Sequence, residues 1–263
     1  MKFKDNVVWI TGASSGIGEH LAYAFSNAGS KLVLSSRSEE DLKRVAQNCG
    51  PEAQTLVLPL DMTDFELMEA KCREVIDHFG RIDILVNNAG ISQRALAADT
   101  LLEVDRKIMD VNFVGTVALT KGVLPHMLER SSGHIVVMSS VMGKFAAPYR
   151  SAYCASKHAL HGFFDALRAE VHENGIHVTL ICPGYVHTNV TINALTGDGS
   201  KNDEMAASTA GGLEPHVFAE KALSAIRKEK AEVIIGGKET MGVYLKRFLP
   251  GVLRRVLRNI ELR

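Results

Sequence analysis

The sequence predicts an α/β chain built on one doubly wound parallel sheet of about seven strands. Three observations carry that prediction. Short runs rich in Val, Ile and Leu recur along the chain, with helix-period segments between them. A glycine-rich turn joins the first such run to the first amphipathic segment. With 263 residues, 46% hydrophobic and 23% charged, the chain is long enough for a substantial core, and its composition excludes a disordered, collagen-like or coiled-coil body.

The first strand is Val7–Thr11, and the amphipathic stretch after its turn spans residues 17–28. Residues 31–36 form the second strand. Ser38 caps the next helix, with Glu39 and Glu40 in the first turn, where acids suit the helix dipole. Residues 55–60 are a third strand, followed by a helix over 64–79. Residues 83–87 are a fourth, followed by a long helical region over 101–130. Residues 134–139 are a fifth, followed by a helix over 152–174. Residues 177–182 are a sixth, and a helix over 215–228 precedes the seventh, Glu232–Ile235. Parallel neighbours joined through helices need right-handed crossovers, which put helices on both faces. No linker or repeat appears, so residues 1–263 read as a single domain. The segment 196–212, rich in Gly, Ser, Asp, Asn and Ala, breaks the alternation; a structureless lid over about 189–214 is expected there.

Lys and Arg number 30 and Asp and Glu 30, so the overall basic field typical of nucleic-acid binding is absent. Cys49, Cys72, Cys154 and Cys182 are scattered, with no Cys/His cluster. Free thiols in a reducing, cytoplasmic setting are expected, and no metal site. The run Val7 to Ile10 is too short for a signal peptide, and no stretch of about 20 apolar residues exists to span a bilayer. The C-terminal extension, about 239–263, sets Leu245, Phe248, Leu249, Val252, Leu253, Val256, Leu257 and Ile260 at helical spacing. Lys246, Arg247, Arg254, Arg255, Arg258 and Arg263 accompany them. This basic amphipathic helix, interrupted near Pro250 and Gly251, suits peripheral contact with an anionic membrane or packing on its own domain or a partner subunit.

The turn from Thr11 to Gly18 reads G-x-x-x-G-x-G between a strand and a helix. Glycine there lets the backbone approach a pyrophosphate, and the helix N-terminus supplies free N–H groups. After the second strand come Ser36 and Arg37 and no acid. A guanidinium fork suits a 2′-phosphate, so NADP(H) is expected over NAD(H). Tyr153 and Lys157 lie one helical turn apart on one face, and Ser140 closes the fifth strand. A nearby ammonium favours phenolate, which would bring Tyr153 from about 10 toward a useful acid/base range.

Thr11 to Gly18, Asn87-Asn88-Ala89-Gly90, Asn112, Ser140, Tyr153-x-x-x-Lys157 and Pro183-Gly184 together resemble the short-chain dehydrogenase/reductase family, in its short single-domain branch. The likeness covers about residues 4–190 and continues weakly to about 236. It implies a Rossmann-type sheet and proton transfer by Tyr153. It also implies a substrate oxygen oriented by Ser140, and a Lys157 that holds the nicotinamide ribose and lowers the Tyr153 pKa. Asn112 would hold a relay water. Asp61 would bind adenine, with Met62 beside it. Gly12, Ser14, Ser15, Gly16, Ile17 and Gly18 would hold the pyrophosphate turn, and Ser36 and Arg37 the 2′-phosphate. Asn87, Asn88, Ala89, Gly90, Pro183, Gly184, Val186 and Thr188 would complete the cofactor site. The chain departs from many NADP-preferring relatives in carrying Ser15 where they have a basic residue.

The family also implies a homodimer or homotetramer, often built on the fourth and fifth helices. Residues 141–150 supply Val141, Met142, Phe145, Ala146, Ala147 and Tyr149, and Tyr185 faces them, so a lipophilic carbonyl or secondary alcohol is expected to bind at Ser140, Met142, Tyr153 and Tyr185. Lys144, Arg94 and Arg150 leave an acyl-carrier thioester open as an alternative, and an NADP-sensing protein without catalysis is the rival outside enzymes.

Overall fold

The inner strands of the computed structural model, which describes residues 2–258, are short apolar runs buried on both faces, and the edge strands Thr55–Val57 and Glu232–Ile235 are partly exposed. The strands are β1 (Val7–Thr11), β2 (Lys31–Ser35), β3 (Thr55–Val57), β4 (Ile84–Asn87), β5 (Gly133–Met138), β6 (Ile176–Pro183) and β7 (Glu232–Ile235). All pair in parallel, in the order β3-β2-β1-β4-β5-β6-β7. The doubly wound α/β sheet and its seven strands are thus as expected. The chain works outward from β1 to β3, then returns to the other side of β1. The crevice between the carboxyl ends of β1 and β4 is where such sheets bind ligands.

The helices are α1 (Gly16–Asn27), α2 (Glu39–Asn48), α3 (Met68–Phe79), α4 (Leu102–Met109), α5 (Gly115–Glu129), α6 (Ser151–Glu170), α7 (Ala207–Ala210), α8 (Pro215–Arg227), α9 (Met241–Phe248) and α10 (Pro250–Arg258). Alternation along β1 divides the core. Val8 and Ile10 pack with Leu21 and Phe25 of α1 and Phe218 of α8, whereas Val7 and Trp9 pack with Val75 of α3, Leu119 of α5 and Phe164 of α6. Ser38 caps α2 as expected, its hydroxyl accepting from Asp41 N at 3.3 Å.

Three expectations need correction. The third strand stops early because Pro59 has no N–H, although Leu58 and Leu60 still donate to Leu34 and Ser36 carbonyls. The long helical region expected over 101–130 is present, with a π-helical stretch, Asp110–Val114, joining α4 to α5. The helix expected over 152–174 ends at Glu170, and a 3₁₀ turn and Gly175 at φ +66° lead into β6. The segment 196–212 is folded rather than structureless. Arg94 N and Leu195 O lie 2.8 Å apart, Leu101 N donates to Gly197 O, and α7 lies within it. Just ahead of it, Thr191, Ala194 and Leu195 are buried.

The apolar residues of the C-terminal helices divide between two settings. Leu253 is buried against Val141, Met142, Phe145 and Cys154, with Val243, Leu245 and Leu257 alongside. Phe248, Leu249, Val252 and Val256 are exposed. Ile260 and Arg263 lie outside the described residues. Among the described residues no helix is long and apolar enough to cross a membrane.

Candidate active site

Past Thr11 the chain turns through Gly12 at φ +65°, which an L side chain resists. A Cβ on Gly12 would lie 2.9 Å from Ala89 Cα, and one on Gly18 would collide with Gly12 O and stand 2.6 Å from Asn88 Nδ2. This tight seat lets the turn rest on the end of β4. Asn88 fastens it, donating from Nδ2 to Thr11 O at 2.9 Å and Gly12 O at 3.2 Å. Thr11 Oγ1 accepts in return from the N–H groups of Asn88 and Ala89, both at 3.0 Å. Ser15 caps α1 without a side-chain hydrogen bond, leaving the first-turn amides and the dipole to an anion. Ile17 packs against the core beneath. Arg44, a residue the sequence did not single out, reaches from α2 to donate to Ser14 O at 2.9 Å and pairs with Glu19 at 2.7 Å.

Beyond β2, Ser36 Oγ donates to Ser38 O at 3.3 Å, and Arg37 is exposed with its charge reaching Asp61. Burial alone would raise the Asp61 carboxyl. Hydrogen bonds from Thr63 N and Oγ1, at 2.9 and 2.8 Å, outweigh it, and Arg37 and Lys107 pull further down. Met62 is buried beside it, with its carbonyl against Gly115. Asn87 turns under the sheet, donating to Thr120 Oγ1 at 3.0 Å, with its Oδ1 buried and unpartnered among the described residues.

The expected catalytic residues converge above β4, β5 and β6. The π-helical stretch turns Asn112 inward, where it is fully buried; its Oδ1 accepts from Ile91 N at 2.8 Å and its Nδ2 donates to Ile91 O and Ser156 Oγ. A Cβ on Gly90 would stand 3.2 Å from Asn112 Oδ1 and 3.5 Å from Lys157 Nζ. Lys157 is buried on α6, and its Nζ donates to Met138 O at 2.8 Å. Burial drags this ammonium down to about 8. Ser140 is the extended residue that caps the 3₁₀ turn Val141–Gly143. Its hydroxyl accepts from Met142 N at 3.1 Å, lies 3.5 Å from Pro183 O and is near enough to the Tyr153 phenol to favour its ionised form.

The acidity expected for Tyr153 needs revision within the chain's own field. Burial pushes the phenol above its ordinary value, and the Ser140 hydroxyl and Arg150 charge only partly offset it. Lys157 Nζ stands 5.8 Å from the ring centroid and is spent on Met138 O. The phenol therefore keeps its proton at neutral pH.

Pro183 ends β6, and Gly184 to Thr188 bend toward the glycine turn, where a Cβ on Gly16 would lie 3.1 Å from Thr188 Cγ2. Glu239 holds this bend. Its Oε1 accepts from Tyr185 N at 2.9 Å and Gly237 N at 2.8 Å, and its carboxylate fills the space a Gly184 side chain would take. Val186 is buried and bridges to Leu213. A surface cleft of about 540 Å³, lined by Arg94, Tyr149, Thr196, Gly197, Asp198 and Ser200 among others, touches none of Ser140, Tyr153 or Lys157.

The sequence showed no Cys/His cluster, yet the fold places ligand atoms of His161, Cys182 and Glu232 within 4.8 Å of one another. His161 Nε2 lies 3.0 Å from Ser139 Oγ, and its Nδ1 3.4 Å from Glu232 Oε2. Lys144 Nζ pairs with the same carboxylate at 2.5 Å. These contacts tie the loop after Ser140 to α6 and β7, and they remove Lys144 from the cations open to a substrate. The four cysteines are free, as expected; Cys49 is only half-buried.

A family model described as short chain dehydrogenase matches residues 6–198. The chain belongs to the short-chain dehydrogenase/reductase family. It is 43% identical over 260 residues to a mouse (Mus musculus) protein named dehydrogenase/reductase SDR family member 7B, covering 97% of this chain and 80% of that one. It is 47% identical over 249 residues to an Anopheles gambiae SDR family protein 7-like, covering 92% and 78%. Among solved structures, a Streptomyces avermitilis short-chain dehydrogenase superposes with a TM-score of 0.82 at 29% identity, covering 97% and 96%. A Burkholderia phymatum family member in complex with NAD gives 0.86 at 23% identity, covering 96% of each chain, a likeness of fold alone. The short-chain dehydrogenase/reductase is accordingly an oxidoreductase of a family that uses a nicotinamide cofactor and small-molecule substrates and often forms oligomers.

Proposed function

We propose that this short-chain dehydrogenase/reductase transfers a hydride between NADP(H) and a carbonyl or secondary alcohol of a lipophilic substrate, with Tyr153 as proton donor and acceptor. The observation that carries the reading is the convergence of Ser140, Tyr153 and Lys157 beside Gly90, above the strand ends that also bear the glycine turn. The residues fit the cofactor, because the glycine turn packs close on the end of β4 and leads into α1, whose first-turn amides no side chain caps. Gly12, Ser14, Ser15, Gly16 and Gly18 would hold its pyrophosphate, Asp61 its adenine, and Lys157 its nicotinamide ribose. Arg37 and Arg44, with no acid closing β2, favour the 2′-phosphate. When bound, the reduced cofactor supplies the hydride to the carbonyl carbon. Ser140 donates a hydrogen bond to the substrate oxygen, and Tyr153 gives it a proton, so two hydroxyls meet the charge where it develops. A phenol held above its ordinary value favours this reducing direction at neutral pH. The Asn112 side chain is spent on Ile91 and Ser156, so a relay water would rest on its main-chain carbonyl.

Met142 and Phe145, packed beside Tyr153, would line the substrate side with Tyr185 opposite, and the folded segment 189–214 would cover it. The exposed apolar face of α9 and α10, with five Lys and Arg and no acid over 241–258, supports docking on an anionic membrane. Exposed Leu101, Leu102 and Val114 around α4 and α5 support a homodimer or homotetramer. The test is a carbonyl panel read by NADPH and NADH consumption. Turnover of lipophilic ketones with NADPH is expected; turnover confined to acyl thioesters would favour the carrier alternative, and none at all the sensor.

A further inference from the structure

We propose that Arg150, with Arg94 beside it, forms an anion subsite next to the Tyr153 hydroxyl, which takes the carboxylate or phosphate of an amphiphilic substrate. The inference rests on the reading of Tyr153 above as the proton donor and names the class of molecule that reaches it.

Arg150 immediately precedes α6, and Tyr153 lies in the first turn that follows. Arg94 is brought alongside by the backbone. Ala95 N donates to Tyr149 O at 3.2 Å, and Ala152 N donates to Gln93 Oε1 at 2.9 Å, which zips residues 93–95 onto 149–152. The charge of Arg150 reaches both the Tyr153 phenol and Arg94. Arg150 therefore stands between Arg94 and the proposed proton donor, with apolar Met142 and Phe145 packed beside Tyr153.

Arg150 is only 8% exposed, and among the described residues no hydrogen bond or ion pair reaches its guanidinium. Elsewhere the chain supplies its buried ammonium with a partner: Lys157, 4% exposed, has Met138 O at 2.8 Å. An arginine cannot shed its proton to escape burial, so an uncompensated one is costly. It fits a fork that a ligand completes, because a carboxylate or phosphate offers two oxygens in the matching plane. Glu204 of the covering segment acts on Arg94 and leaves Arg150 to the ligand.

The test is equilibrium binding to the NADPH-loaded full chain, by calorimetry, of octanol, octanoate and octyl phosphate. None of these is an aldehyde or ketone for NADPH to reduce, so the result stands whatever the fate of the catalytic reading. At least one of the two anions is expected to bind about tenfold or more tighter than octanol, the gain of a charge-assisted hydrogen bond. Which of them gains more assigns the group to phosphate or carboxylate. R150Q should bring both anions to the affinity of octanol, and R150K should restore part of the preference, while NADPH binding shows each variant folded. Equal affinity of all three ligands for the wild type, or an anion preference that survives in R150Q, would overturn the proposal.

Discussion

The lysine proposed to hold the cofactor ribose burdens the fold, and removing its charge should make the protein more stable. Lys157 is 4% exposed, and burial lowers it from 10.5 to about 8. At about 1.36 kcal/mol for each tenfold change in proton affinity, that gap corresponds to roughly 3 kcal/mol of stability withheld at neutral pH. The Nζ hydrogen bond to Met138 O returns about 1 kcal/mol. Lys157→Met keeps most of the side chain's length and removes the charge, so a net gain of roughly 2 kcal/mol, or about 4–8 °C, is expected at pH 7. The pH dependence has a fixed sign. Between about 8 and 10.5 the unfolded chain binds the extra proton, so wild-type stability rises across this window and the variant's does not. At pH 9.5 the gap should shrink to below about 1 kcal/mol. The assay is urea unfolding followed by Trp9, the single tryptophan, fully buried and bonded to Ser35 Oγ at 2.9 Å. A variant less stable than wild type at pH 7, or an advantage constant from pH 7 to 9.5, would refute the reasoning.

Three further outcomes follow from other parts of the fold. Asp83 accepts from Val7 N, Arg81 and Arg130 at 2.7–2.8 Å, bonds that outweigh the upward push of burial, so D83N should cost about 3 kcal/mol in urea unfolding. Because its folded pKa is depressed, the stability Asp83 gives is present above 3.8 and fades as pH falls below that value. Arg37→Asp should move the ratio of kcat/KM for NADPH over NADH by about tenfold or more toward NADH; an unchanged ratio would show that Arg37 takes no part in the choice. Phe248→Ser combined with Arg255→Ser, which spares buried Leu253, should weaken co-sedimentation with phosphatidylserine vesicles by about tenfold or more; unchanged partitioning would sink the membrane reading.

The strands were legible because a parallel sheet buried on both faces needs unbroken Val/Ile/Leu runs, as β1 and β5 show. The glycine turn was legible because close approach of two backbones permits no other residue at Gly12 and Gly18. The π-helical stretch around Asn112 left no sign, since one extra residue in a turn barely disturbs helical periodicity. The order in 196–212 was hidden because it rests on main-chain hydrogen bonds, such as Leu101 N to Gly197 O, that any sequence can make. The sequence did not single out Arg44 or Glu239, because their partners, Ser14 and Tyr185, lie 30 and 54 residues away. His161, Cys182 and Glu232 are likewise far apart in the sequence until the fold gathers them.

The most direct test of the account is Tyr153→Phe, measured for NADPH affinity and for turnover of the best ketone in the panel. Loss of one hydroxyl that gives a proton and a hydrogen bond to the developing alkoxide should lower kcat by about a thousandfold and leave the NADPH Kd within about twofold. Turnover that persists near the wild-type rate with NADPH still bound would contradict it.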